Sequence, residues 1–208
     1  MNRKFAMIAS LTILVLIASA CGGGGTPASS DAPARSAVIT LVENDVQARS
    51  GPEASFTPAS AGIVLAPGGE VQSGEAGRAQ LEIRPEGTAI YVGPSTTFVL
   101  TQLEDESGSP FARLQMELGQ LWIVLSGGTL EVETPSGVAA VRGSLMGVGS
   151  GPNGLTITCL EGHCDYNNGG NSANMTNGQA CDVTPDDPDC EPREMTEEEE
   201  EEWEENVP

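Results

Sequence analysis

Between residues 37 and 183, hydrophobic and polar positions alternate with a period of two, in short runs broken by Gly and Pro. That pattern predicts half-buried β-strands rather than helices. Strands are expected at 37–42, 63–65, 80–84, 88–92, 97–100 and 128–134. Pro85-Glu86-Gly87 and Gly93-Pro94 close two of them, and Pro135 ends a third, because proline cannot donate to a ladder. Pro152-Asn153-Gly154 is a turn signal between 145–149 and 155–160, and further turns fall at 167–171 and at Asn177-Gly178. One segment is ambiguous. Phe111, Leu114, Leu118, Leu121 and Leu125 fit helical spacing, yet Leu114, Met116 and Leu118 also alternate with Arg113, Gln115 and Glu117. Its Ile-Val pair and its neighbours favour strands, so two strands separated at Gly119 are expected here.

The first residues follow another pattern. Arg3 and Lys4 precede an almost wholly apolar run at 5–18, then Ser19, Ala20 and Cys21. This is the layout of a secretory signal. The run is short for a membrane span, which takes about 20 residues. The Ala18-Ser19-Ala20-Cys21 junction resembles a bacterial lipoprotein processing site, which implies a lipid on Cys21 after cleavage. Acyl burial at roughly 0.8 kcal/mol per CH₂ would hold such a protein at a membrane surface. Residues 21–36 are rich in Gly, Ser and Pro and read as a tether. The expected layout is a signal at 1–20, the tether at 21–36, one all-β domain at 37–183 and an acidic, disordered tail at 184–208. The expected location is the extracytoplasmic side of the cell membrane.

Charge narrows the partners. The 208 residues carry 30 Asp plus Glu against 9 Lys plus Arg, a formal net charge of −21. Nucleic acid is excluded as a partner, because a phosphate backbone needs clustered cations. Lys4 is the only lysine, so a processed chain has no amine for Schiff-base chemistry. His163 is the only histidine. Residues 182–208 hold 14 acidic residues against Arg193 alone, including the run at 197–202. Charge this dense predicts disorder, although Thr196 before glutamates could cap a short helix with Trp203 as its one large apolar group. Three roles are open for the tail: solubility, docking of a basic partner through charge and Trp203, or weak collection of Ca²⁺.

A series of motifs then becomes recognisable. Gly69-Glu70-Val71-Gln72-Ser73-Gly74 leads through Gly77-Arg78-Ala79 to Glu86-Gly87-Thr88 and Gly93-Pro94-Ser95-Thr96. Leu118-Gly119-Gln120-Leu121, Val132-Glu133-Thr134-Pro135, Val141-Arg142-Gly143-Ser144, Leu160-Glu161-Gly162 and Asn177-Gly178-Gln179 follow. In this order they resemble the FecR domain family over roughly residues 60–183. The resemblance implies an all-β fold of short strands wound into a β-roll or β-helix-like body. The family prototype is a sensor that relays iron-siderophore status to an extracytoplasmic-function sigma factor, with a cytoplasmic helical segment ahead of a transmembrane helix. Here a signal begins at residue 1, so the fold is carried over and the sigma-factor activity is not. Arg142 is expected to satisfy loop carbonyls or a carboxylate, with ligand binding as the second reading, since a fork of five donors serves either role.

Cys159, Cys164, Cys181 and Cys190 form an even set in an exported chain, which argues for disulfides. Of three pairings, Cys159–Cys164 and Cys181–Cys190 are favoured; the first staples a tight turn and the second pins the start of the tail. The rival is a metal site from Cys159, His163, Cys164 and Cys181, which oxidation of the thiols would remove. Glu131 and Glu133 share one strand face about 7 Å apart, a separation at which two carboxylates can act as acid and base on a polysaccharide. They also alternate with Leu130 and Val132, as the wet face of an amphipathic strand does. The expectation is therefore a non-catalytic, lipid-anchored module for binding, scaffolding or envelope signalling, without cofactor or metal. Its expected partners are an envelope protein or a glycan, and Arg142 and Trp203 are the candidate contact residues. The alternatives are an envelope polysaccharide enzyme and a regulator acting through a separate membrane protein.

Overall fold

The computed structural model describes residues 35–104 and 110–208. The signal, Cys21 and the tether up to residue 34 lie outside the described residues. The rest is one fifteen-stranded sheet and a single C-terminal helix. The strands are β1 (Ser36–Glu43), β2 (Val46–Arg49), β3 (Thr57–Pro58), β4 (Val64–Leu65), β5 (Gly69–Ser73), β6 (Arg78–Arg84), β7 (Thr88–Val92) and β8 (Thr97–Glu104). Three long strands follow, β9 (Pro110–Leu125), β11 (Gly137–Gly151) and β12 (Gly154–Asn167), with β10 (Thr129–Thr134) between the first two. Then come β13 (Ser172–Thr176), β14 (Gln179–Val183), β15 (Arg193–Glu194) and helix α1 (Glu197–Asn206).

The long strands build the architecture by changing partners part-way along. The first half of β9 pairs with β8 and, in parallel, with β10; its second half pairs with β7 and β11. β11 pairs first with β10, then with β9, while β12 runs beside it throughout. β12 itself takes β14 along its first half and β13 along its second. One wing of the sheet thus continues through β8, β5, β2 and β3, the other through β7, β6, β1 and β4. The inner faces of both wings share one core, including Val71, Phe98, Leu114 and Met116 from the first and Leu81, Ile83, Ile90 and Ile123 from the second. The edges are short strands, β3, β4, β13 and β15, which present little unpaired backbone.

Each long strand bends at a glycine inside one of the sequence motifs. In β9 the bend is Gly119, at φ +112°, where a Cβ would lie 2.2–2.5 Å from atoms of Thr96. Thr96 is buried, and its hydroxyl accepts from the amide of Gln120 at 3.0 Å, joining Gly93-Pro94-Ser95-Thr96 to Leu118-Gly119-Gln120. The chain therefore turns without breaking the ladder. Residues 110–125 form one continuous strand, where two were expected from the glycine interruption. In β11 the register shifts between Val141 and Ser144, with Arg142 and Gly143 at the bulge. β12 bends opposite it, at Gly162, where a Cβ would sit 1.8 Å from the Gly143 carbonyl oxygen. The Cys159–Cys164 disulfide spans that bend with both residues buried.

The C-terminal segment departs from the expectation of disorder. Cys190 is bonded to Cys181 of β14, and Arg193–Glu194 adds β15 to the same strand. Arg193 then bridges Asp182 and Glu199 at 2.6 and 2.7 Å. Thr196 caps α1 with a reciprocal pair: its hydroxyl accepts from the Glu199 amide, and the Glu199 carboxylate accepts from the Thr196 amide. Trp203, 3% exposed, anchors the helix on the sheet. Charge counting misses this because one cap, one disulfide, one guanidinium and one indole offset the repulsion. The first-turn glutamates also meet the positive end of the helix dipole.

Candidate functional site

The outer face of the second wing carries a small apolar cluster of its own. Trp122 of β9, Ala180 of β14, Met195 and Trp203 are buried together, with Tyr91, Leu145, Leu160 and Val207 packed around them. Trp122 points away from the main core because Leu121 and Ile123 point into it. The Trp203 indole N–H donates to the Thr158 hydroxyl at 3.1 Å. Gly147 makes that contact possible: a Cβ there would stand 2.3 Å from the Thr158 hydroxyl and 3.5 Å from the indole.

Beside the helix this face opens into a groove of about 740 Å³. Its floor is outward-facing backbone of β11, where Gly147, Gly149 and Gly151 alternate with the buried Met146, Val148 and Ser150. Leu118, 45% exposed, lies along it. Glu199 and Glu202 of α1 and Asp182 of β14 supply the acidic wall. Asp182 is occupied, accepting from Arg193 and from the Thr156 hydroxyl at 2.8 Å. The Arg193 hydrogen bond holds the Glu199 carboxyl below the usual carboxylate range. Glu202 is different. Burial, followed by the nearby charges of Glu198, Glu199 and Glu205, pushes its carboxyl upward, and among the described residues no cation pairs with it.

The residues singled out from sequence fall in several places. Arg142 projects from the β11 bulge with its side chain 72% exposed and Asp165 3.9 Å away. It is a corner residue with one long, weak ionic contact. Glu131 is bound by Arg113, whose guanidinium donates to Glu131 Oε2 at 2.6 and 3.0 Å. Glu133 lies farther along β10, exposed and opposite Val138. This leaves the pair unequal, one carboxylate committed to a guanidinium and one in water. His163 is exposed on β12, and the two cysteines nearest it in sequence are joined to each other. Cys181 is joined to Cys190, so no thiolate of the rival metal set is free. Trp203 is a buried anchor, not an exposed contact. The groove itself was not foreseen. Its one sequence signal is the Gly147, Gly149, Gly151 alternation, which leaves one strand face without side chains.

The fold is an all-β module, one wound, open sheet with a groove on one outer face. Residues 69–164 match the family model described as FecR protein, and the chain carries a FecR domain. Two crystal structures of a candidate anti-sigma factor from Parabacteroides distasonis ATCC 8503 share the fold. The one at 1.65 Å resolution has a TM-score of 0.54 at 14% identity over 64% of this chain and 63% of that one. The one at 2.50 Å has a TM-score of 0.55 at 13% identity over the same shares. The chain thus spans under two thirds of the length of these relatives. No curated protein matches it.

Proposed function

We propose that this protein is a regulatory binding module, exported and anchored through a lipid on Cys21, that signals through a separate membrane protein. The observation that carries the reading is the FecR domain at 69–164, set beside a C-terminal segment that builds a groove instead of a catalytic cluster. The likeness to candidate anti-sigma factors supports a regulatory role. The engagement of Glu131 by Arg113 supports binding over acid-base catalysis, because an acid locked in an ion pair at 2.6 Å is poorly placed to donate a proton.

The test is in vivo crosslinking and co-purification from intact cells, paired with transcript profiling of a deletion strain under iron limitation and envelope stress. The full protein is compared with a chain ending at residue 183 that also carries Cys181→Ser, because truncation removes the partner of Cys181. One dominant membrane-protein partner and a changed envelope or iron-uptake transcript set are expected. No specific partner and an unchanged transcriptome would overturn the reading. Cys21→Ser tests the anchor separately: the protein should move from the membrane fraction to the soluble extracytoplasmic fraction.

A further inference from the structure

The groove beside α1 has three properties that together select an occupant. Its floor is glycine backbone, which lets a second backbone approach closely. Leu118 supplies an exposed apolar surface there. Its wall carries Glu202, half-buried and without a cationic partner among the described residues. Among the described residues two arginines contact α1, and neither pairs with Glu202: Arg193 is held by Asp182 and Glu199, and Arg78 donates to the Asn206 side-chain oxygen. The Arg193 bridge also shows how this wall holds a guanidinium, by two carboxylates at 2.6 and 2.7 Å.

We propose that this groove docks an extended, basic segment of the partner protein, with an arginine or lysine on Glu202 and a small apolar side chain on Leu118. The inference rests on the regulatory-module reading and names the surface and partner chemistry for it. Further exposed carboxylates on α1, among them Glu198, Glu201 and Glu205, extend the negative field around the groove and would steer a basic segment towards it.

The geometry provides a blocking variant that should still fold. A Cβ at Gly149 meets nothing nearer than 3.9 Å, from Gln120, and one at Gly151 nothing nearer than 3.9 Å, from Leu118. Gly149→Val and Gly151→Val should therefore fill the groove without disturbing the sheet. The purified protein is panned against a displayed library of random ten-residue peptides, and the enriched consensus is synthesised. Enrichment of peptides bearing arginine or lysine is expected. Affinity for the consensus should fall at least tenfold in Gly149→Val and in Glu202→Arg, and should weaken with salt. Circular dichroism and melting of each variant, unchanged, would show that the losses are not unfolding. No enrichment, enrichment of uncharged or acidic peptides, or undiminished binding by Gly149→Val would overturn the proposal. So would self-association abolished by Gly149→Val with no peptide enriched, which would make the occupant a second copy. Co-purification separates this from the parent reading: a partner retained by Gly149→Val in cells rejects the groove and keeps the regulatory module.

Discussion

The two faces of the second wing are built on opposite principles. Its inner face is closed by the sheet itself: Leu81, Ile83, Ile90, Ile123 and Ile157 alternate strand by strand into one core and are at most 1% exposed. Its outer face is closed by a foreign element, a ten-residue helix composed mostly of glutamate and held by one indole. Alternation can supply the first kind of closure wherever strands run side by side. The second depends on single residues at single positions, Gly147 making room, Thr158 accepting a hydrogen bond and Trp203 filling the space. The inner face should accordingly fail all at once, and the outer face piece by piece.

The largest expected effect comes from the bends that hold the inner face together. Gly162→Ala places a methyl group 1.8 Å from the Gly143 carbonyl oxygen at a backbone φ of +93°. Left-handed strain of about 1–2 kcal/mol and overpacking of about 1–3 kcal/mol add, so a loss of about 3 kcal/mol or more is expected. Chemical denaturation should show one cooperative transition at a much lower midpoint. A shift under 1 kcal/mol would mean that the β12 corner relaxes freely and that the inner face is not one cooperative unit.

Trp203→Ala should be nearly as costly, but locally. Removing a buried tryptophan costs about 3 kcal/mol or more, yet here the loss falls on helix docking. An isolated helix of this length is marginal in water, so undocking should also melt it. Amide exchange in α1 should accelerate about a hundredfold or more while the amides of β9 and β11 keep their protection. Trp203→Phe removes the bond to Thr158 and part of the indole packing, and should cost at least about 1 kcal/mol but less than Trp203→Ala. Equal acceleration in helix and sheet would erase the distinction between the two faces.

These differences explain what could be read in advance. The strands at 80–84, 88–92 and 128–134 alternate cleanly, and the structure has β6, β7 and β10 there. Period two reports one buried face directly. The bend in β9 was harder, because Gly119 interrupts the pattern in sequence while the ladder continues in space, through Gly93 N–H donating to the Gln120 carbonyl at 2.9 Å. The docked helix was harder still. Its capping pair, Thr196 and Glu199, is local and legible, but the cavity for Trp203 is assembled from β9, β11, β12 and β14, and no local window contains it. Glutamate density dominated the reading for that reason. The groove inherits the same difficulty, since its wall and its floor come from strands and a helix far apart in the chain.

A smaller loss is expected from the cap. Thr196→Ala removes the acceptor for the Glu199 amide and one arm of the reciprocal pair, at a cost of about 1 kcal/mol. Exchange should quicken at the first turn of α1 before the turn bearing Trp203. Uniform quickening along the helix would mean that cap and anchor act as one unit, which would bring the outer face closer in character to the inner one.

The smallest effect is also the most diagnostic, because it carries a sign. Burial and then Glu198, Glu199 and Glu205 raise the affinity of Glu202 for its proton in the docked helix. Its contribution to docking is therefore fully present below the ordinary carboxylate range near 4.5 and is lost as pH rises through the higher docked value. Glu199 works the other way: the hydrogen bond from Arg193 lowers its value, so its contribution is present above that range and is lost as pH falls through the docked value. Docking of α1, followed by amide exchange, should thus weaken on both sides of a maximum near the ordinary carboxylate range. Glu202→Gln should remove the decline on the alkaline side and leave the acid side intact, with tighter docking than wild type at pH 7. Glu199→Gln should abolish the acid-side loss and loosen docking at pH 7, since the Arg193 bridge then has only Asp182 left in ionised form. An unchanged alkaline limb in Glu202→Gln would show that Glu202 binds its proton equally well in the docked and the undocked helix, so that docking does not penalise its charge.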